Sequence, residues 1–211
     1  MNYTKYSRDG IMSIPSRFTR LVWSCAEQSH IRDKEIRESL DFVARIRRII
    51  KHKSVLEVCC GHGLVGQLLA ENGAKSVHQI DIHETHSHAL LQTYFLKNPV
   101  MFDVIDIRSQ KDEILSWNFD VVVGMHCCGD LSDIIVDIAI KKGAALCLCP
   151  CCYHGARMAP SIAASMKKYS KPLAVDAVRV ATLALHGYAI TMKALNISIS
   201  TCNNIICATP A

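Results

Sequence analysis

The chain has 211 residues, half of them hydrophobic, enough to bury one core and too few for two ordinary domains. A formal charge of +5 and a pI near 8.6 favour an acidic partner such as RNA without requiring one. Eleven cysteines lie among alternating strand and helix patterns, which argues against a disulfide framework and for thiols buried as small hydrophobes. Residues 1–10 are too polar for a secretory leader, and no apolar run reaches the ~18 residues of a membrane span. The expectation is a cytoplasmic protein without membrane association.

In chain order, residues 15–53 predict two helices with a break at 29–33, where Asp33 is placed to cap the second. Ile36, Leu40, Val43, Ile46 and Ile50 form an apolar stripe at spacings of three or four, widened by Phe42 and Ile49. Arg37, Arg45, Arg47, Arg48, Lys51 and Lys53 occupy much of the remaining surface, as a solvated face or, alternatively, a nucleic-acid patch. Residues 1–53 are therefore read as an N-terminal helical extension and 54–211 as the main domain.

From Ser54 onward, short apolar runs alternate with helical stretches, the signature of βαβ units around a parallel sheet. Strands are predicted at 54–58, 76–80, 100–105, 120–124 and 144–149, with helices at 63–72, 85–96, 109–116, 131–142 and 173–186. Two final strand-like runs, 189–199 and 204–208, are joined too tightly for a crossover and must be antiparallel.

The first strand ends in Glu57-Val58-Cys59-Cys60-Gly61-His62-Gly63 and leads straight into a helix. Small residues there let backbone approach a nucleotide, and Gly61-x-Gly63-x-x-Gly66 alone fits NAD as well as S-adenosylmethionine (SAM). Three features favour SAM. Glu57 would face the cationic ammonium and sulfonium of SAM, where NAD carries a pyrophosphate. Asp106, after the third strand, is placed to accept from an adenine amino group, and the terminal antiparallel pair is foreign to a plain dinucleotide-binding half. Asp81, closing the second strand, suits the ribose hydroxyls of either cofactor. A sheet with tight turns and no ligand is the competing structural reading.

On these residues, positions 54–208 resemble a class I SAM-dependent methyltransferase. The resemblance implies a Rossmann-like seven-stranded α/β sheet, mostly parallel with an antiparallel terminal strand and helices on both faces. It also implies SAM as cofactor. Glu57, Gly61, Gly63, Asp81 and Asp106 match that family's cofactor contacts, and Cys59, Ile82, Ile107 and His126 complete the expected set. Cys59 departs from the family pattern, standing where the loop's first glycine belongs.

Ligands in open α/β sheets sit beyond the carboxyl ends of the strands, so the segments after strands four and five should border the reactive methyl group. These read His126-Cys127-Cys128-Gly129-Asp130 and Pro150-Cys151-Cys152-Tyr153-His154. They resemble the His-x-Cys-Gly and Cys-Cys-(Tyr or His)-His segments of a subfamily that includes tRNA ribose 2′-O-methyltransferases and methyltransferase-like proteins of other substrates. The candidate catalytic set is His126, His154, Cys128 and Tyr153, with either histidine as general base. Alternatively, the histidines only fix the loops, and catalysis rests on alignment. A zinc site made from Cys127, Cys128, Cys149, Cys151, Cys152 and His154 is the third reading and is not expected, because structural zinc usually draws on Cys-x2-Cys spacings and vicinal cysteines ordinarily point apart; a cysteine nucleophile has no sequence support. Tyr153 either stacks on a flat acceptor or seals the pocket, with packing favoured. Asp176 and Arg179 read as a surface pair or, alternatively, as reaching into the acceptor cleft, and the spacing of His83, His86 and His88 suits a solvated loop and helix start as well as a ligand set. The acceptor is RNA in the first reading and a small molecule or protein side chain in the second; a non-catalytic SAM-binding module is the non-enzyme alternative.

Overall fold

A computed structural model of the protein describes residues 17–95, 100–153, 156, 171–196, 198 and 203–211. Two helices, α1 (Arg17–Gln28) and α2 (Asp33–Ile50), precede the sheet. Then come β1 (Ser54–Val58), α3 (Leu64–Glu71), β2 (Ser76–Asp81), α4 (His86–Gln92), β3 (Met101–Val104) and α5 (Lys111–Ser116). The chain continues through β4 (Val121–Met125), α6 (Asp130–Lys142), β5 (Ala145–Cys149), α7 (Lys171–Leu185), β6 (Tyr188–Ala194) and β7 (Asn204–Pro210).

The seven strands run in the order β3-β2-β1-β4-β5-β7-β6. Strands β1 to β5 are mutually parallel, and β7 is antiparallel to both its neighbours, with Leu146 opposite Ala208 and Ile190 opposite the same residue on the other side. The last strand is thus inserted between β5 and β6, and its short link to β6 requires the two to run antiparallel. Of the strand predicted over 189–199, residues 197 and 199 lie outside the described residues, as do 200–202 of the predicted connection; β6 itself ends at Ala194.

Alternation along each strand divides the apolar residues between two layers. Val121, Val123 and Met125 of β4 join the layer containing α2 and α3, whereas Val122 joins that of α5 and α6. The predicted stripe of α2 is buried there: Ile36, Phe42, Val43, Ile46 and Ile50 are all inaccessible or nearly so. Buried Asp41 accepts from Arg45 Nε at 3.2 Å and from the Asn196 N–H at 2.7 Å, and Lys193 Nζ reaches the Arg45 carbonyl at 2.6 Å. These bonds fasten α2 across to β6. Asp33 does not cap the helix: Arg32 takes that position, and its N–H donates to the Glu35 carboxylate at 3.3 Å.

Gly66, on the first turn of α3, marks a close approach of helix to sheet. A Cβ there would stand 2.4 Å from both Glu57 Oε2 and Gln79 Nε2. Both atoms belong to a buried, mutually bonded pair, so neither yields easily. Gly66→Ala is expected to lower stability by about 1–3 kcal/mol, read as a drop in the thermal unfolding midpoint; an unchanged midpoint would show that the pair can move aside.

Candidate cofactor site

After Val58 the chain must reverse beneath α3, and it does so through alternating left-handed residues: Cys59 (φ 55°), Gly61 (φ 55°) and Gly63 (φ 75°). Cys59 holds the backbone shape that the usual glycine would take, at a cost of roughly 1–2 kcal/mol. The loop is pinned from β2 and the turn after it. Cys60 N–H donates to Ile80 O (3.2 Å), Gly61 N–H to Asp81 Oδ2 (2.8 Å), and Thr85 Oγ1 to Gly61 O (3.1 Å). A Cβ on Gly61 would meet nothing within 4 Å, so this face of the loop lies open.

Beneath the loop, Glu57 is buried and accepts from Gln79 Nε2 at 2.6 Å and from the Gly66 N–H. Burial pushes its pKa up to about 8; the two hydrogen bonds oppose that rise, and the charge on Asp81 adds to it. Gln79 also donates to Gly63 O at 3.0 Å, and its carbonyl meets His88 Nε2 at 3.2 Å. His88 is 1% exposed and bonded to Glu84 through Nδ1, which corrects the solvated reading for this residue, while His83 and His86 are exposed.

Two cavities flank the loop. The larger, about 330 Å³, is lined by Glu35 and Ser39 of α2, by Glu57, Cys59 to His62 and Asp81, and by Met125 and His126. The smaller, about 110 Å³, lies among Ile80, Ile82, Ile105, Ile107 and Leu131, with Arg108 at its edge. Cys59 and Asp81 border both, so the carboxylate of Asp81 stands at the junction. Its Oδ1 accepts from the Ile82 N–H at 2.7 Å. Asp106 and Gly63 line neither cavity: Asp106 Oδ1 accepts from the Arg108 N–H at 2.9 Å, and Gly63 caps α3.

On the acceptor side, His126 also has a left-handed backbone (φ 61°), and its N–H donates to Cys149 O at 2.9 Å. Its Nε2 lies 3.0 Å from Glu38 Oε2, a carboxylate buried in α2. Cys127 points into the core toward Val58 O, whereas Cys128 turns outward, its Sγ 3.3 Å from His126 O. Tyr153 is buried, its ring under Arg179 and its hydroxyl donating to Asp176 Oδ2 at 2.9 Å. His154 lies outside the described residues.

Asp176 and Arg179 do not form a surface pair; they are 1% and 3% exposed. Arg179 donates from Nε to Asp133 (2.8 Å), from Nη1 to Asp176 (3.3 Å) and from Nη2 to Gly129 O (3.0 Å). One buried guanidinium thereby ties α7 and α6 to the loop carrying His126.

Sequence reading missed Glu35, Glu38, Ser39 and His62. The available signal for Glu38 is its place four residues before Phe42, on the flank of the apolar stripe. His62 adjoins the glycines but reads as filler; burial lowers its pKa, and its Nδ1 accepts from the Leu64 N–H at 3.2 Å.

A parallel sheet with an inserted antiparallel last strand, carrying a glycine loop between two cavities divided by a strand-end aspartate, defines a class I SAM-dependent methyltransferase domain. The chain belongs to the family described as "Methyltransferase domain", which matches residues 32–159. Its fold is similar to a Podospora anserina methyltransferase solved with S-adenosylhomocysteine (TM-score 0.60, 12% identity, covering 94% of this chain and 89% of that one). It is also similar to the magnesium protoporphyrin IX methyltransferase of Synechocystis solved with SAM (TM-score 0.52, 18% identity, covering 85% and 83%). A human glutathione S-transferase C-terminal domain-containing protein is 26% identical over 99 residues, 47% of this chain and 15% of that protein. The chain thus matches only a small part of these curated relatives.

The Glu57 proton makes a testable pH signature. The folded state holds it up to about 8, whereas an exposed carboxyl releases it near the ordinary value of 4.5. Between those values the folded state binds more protons, so stability falls as pH rises through the window and levels off above it. Thermal midpoints measured without ligand should therefore decline from about pH 5 to about pH 8, and Glu57→Gln should flatten that decline. An equally steep decline in the variant would remove Glu57 as its source.

Proposed function

We propose that the chain transfers the methyl group of SAM to a proton-bearing nucleophile on an RNA acceptor, with His126 as the base. The observation that carries this reading is the His126–Glu38 pair at the larger cavity. A buried carboxylate on one ring nitrogen orients the imidazole and stabilises the cation formed when the other nitrogen takes a proton. The left-handed backbone of His126 is strain of the kind that clusters at functional sites.

The residues fit SAM. Glu35 and Asp81 give the larger cavity acidic groups suited to the cofactor's cationic amino-acid end, Glu57 adds a hydrogen-bonding carboxyl, and Asp81 at the junction suits the ribose. The isoleucine-lined smaller cavity suits a flat adenine, and the open face of Gly61 lets ligand approach the backbone. When bound, SAM supplies a methyl group already activated on sulfur. The protein then has to hold the acceptor in line, exclude water and receive the proton at His126.

For RNA, the support is the two loop segments and a rim of exposed cations. Arg32 pairs with Glu35 of the larger cavity's wall, Lys34 with Glu38 beside His126, and Arg108, which borders the smaller cavity, with Asp130. The basic residues Arg47, Arg48, Lys51 and Lys53 lie at the other end of α2, by the start of β1, and do not border the cavity.

Radiolabelled SAM incubated with the protein and cell extract should yield label that nuclease releases and protease does not. Protease-sensitive label would move the acceptor to protein, and absence of transfer would favour a binding module. Asp81→Ala should abolish SAM binding in calorimetric titration; near-normal affinity would refute its placement. His126→Ala should retain SAM affinity and slow transfer by something like ~10²-fold. An unchanged rate would reduce His126 to a loop-fixing role.

A further inference from the structure

Adjacent residues 151 and 152 would ordinarily direct their side chains apart. Here the Sγ atoms of Cys151 and Cys152 are 3.6 Å from each other, and Cys128 Sγ, from the other acceptor-side loop, is 3.0 Å from Cys151. All three sulfurs lie within 4.8 Å of one another, two half-buried and one exposed. We propose that Cys128, Cys151 and Cys152 form a three-thiolate zinc site that clamps together the loops following β4 and β5.

The spacing suits the ion. Four ligands at the zinc–sulfur distance of 2.3 Å place neighbouring sulfurs about 3.8 Å apart; the Cys151–Cys152 pair at 3.6 Å is near that value, and the Cys128–Cys151 pair at 3.0 Å has to open by about 0.8 Å to take the ion. A disulfide would engage two of the sulfurs and give no reason for the third to converge. A thiol that coordinates a divalent cation is deprotonated outright. Binding exchanges three thiol protons for one Zn²⁺, the protons leaving to solvent, and a fourth ligand such as water completes the tetrahedron. Soft thiolates select zinc over magnesium or calcium.

The two loops already meet through the Gly129 N–H to Cys152 O bond at 3.1 Å and the His126 N–H to Cys149 O bond. A metal would add a rigid link one residue pair away from His126, whose carbonyl faces Cys128 Sγ. Its role is structural positioning of the acceptor-side loops.

The test uses the full chain purified without chelator, with metal content determined by mass spectrometry and free thiols counted by alkylation. One zinc per chain is expected, absent from Cys128→Ser and Cys152→Ser and retained in Cys207→Ala. Replacement of zinc by Co²⁺ in the unaltered protein should produce thiolate-to-cobalt charge-transfer bands with the intense visible bands of tetrahedral cobalt, a readout that holds even if a cysteine variant fails to fold. A Cys128–Cys151 disulfide, three alkylatable thiols without metal, or zinc retained in both serine variants would overturn the site. These measurements do not depend on methyl transfer or on SAM, so their failure leaves the proposed activity untouched.

Discussion

The hydrogen-bonded carboxyl of Glu57 is the point from which the site is built. Placed at the end of the central β1 on the face covered by α2 and α3, it joins β2 through Gln79 and α3 through the Gly66 N–H. The same Gln79 carries the connection to Gly63 O and His88, so strand, loop and helix share one buried polar network. Such a network holds geometry only when its members are satisfied. Its position beneath the loop explains why Gly66 has no room for a methyl group, and why the open side of Gly61 faces the cavity instead.

The larger cavity is closed by residues distant in sequence. Helix α2 supplies Glu35 and Ser39 to its wall and Glu38 to His126, while its apolar stripe shares a core layer with Val55, Val77 and Val123 of the sheet. The family match beginning at residue 32 takes in the same helix. Burial of the stripe sets the rotation of α2, and that rotation sets which acidic side chains face the cavity.

On the far side, order comes from charge. Arg179 is removed from water and compensated by Asp133, Asp176 and the Gly129 carbonyl, while Tyr153 and Asn204 bond to the same Asp176. Removing one member of such a buried set leaves an uncompensated charge, typically at a cost of about 3–5 kcal/mol. The loops after β4 and β5 are therefore held by α7, an element with no residue in either cavity wall.

Much of this architecture was legible in the chain. Alternating short apolar runs and helical periods determined five parallel strands and their helices, and the tight final connection determined the antiparallel return. Strand-end placement located Glu57, Gly61 and Asp81 at the cavities, and the family resemblance added Cys59, Ile82, Ile107 and His126, whereas Gly63 and Asp106 line neither. Contacts between distant elements were not legible in this way. Apart from its place on the flank of the apolar stripe, nothing local distinguishes Glu38 from a solvated helix acid, and nothing separates Asp176 and Arg179 from an exposed i, i+3 pair or His88 from its exposed neighbours. Nor does adjacency show that Cys151 and Cys152 turn the same way while Cys127 and Cys128 part. The sequence by itself determined where the backbone would pass and which positions carry chemistry; burial and partnership were decided by the tertiary structure, since desolvation depends on what packs above a residue and leaves no trace in its spacing.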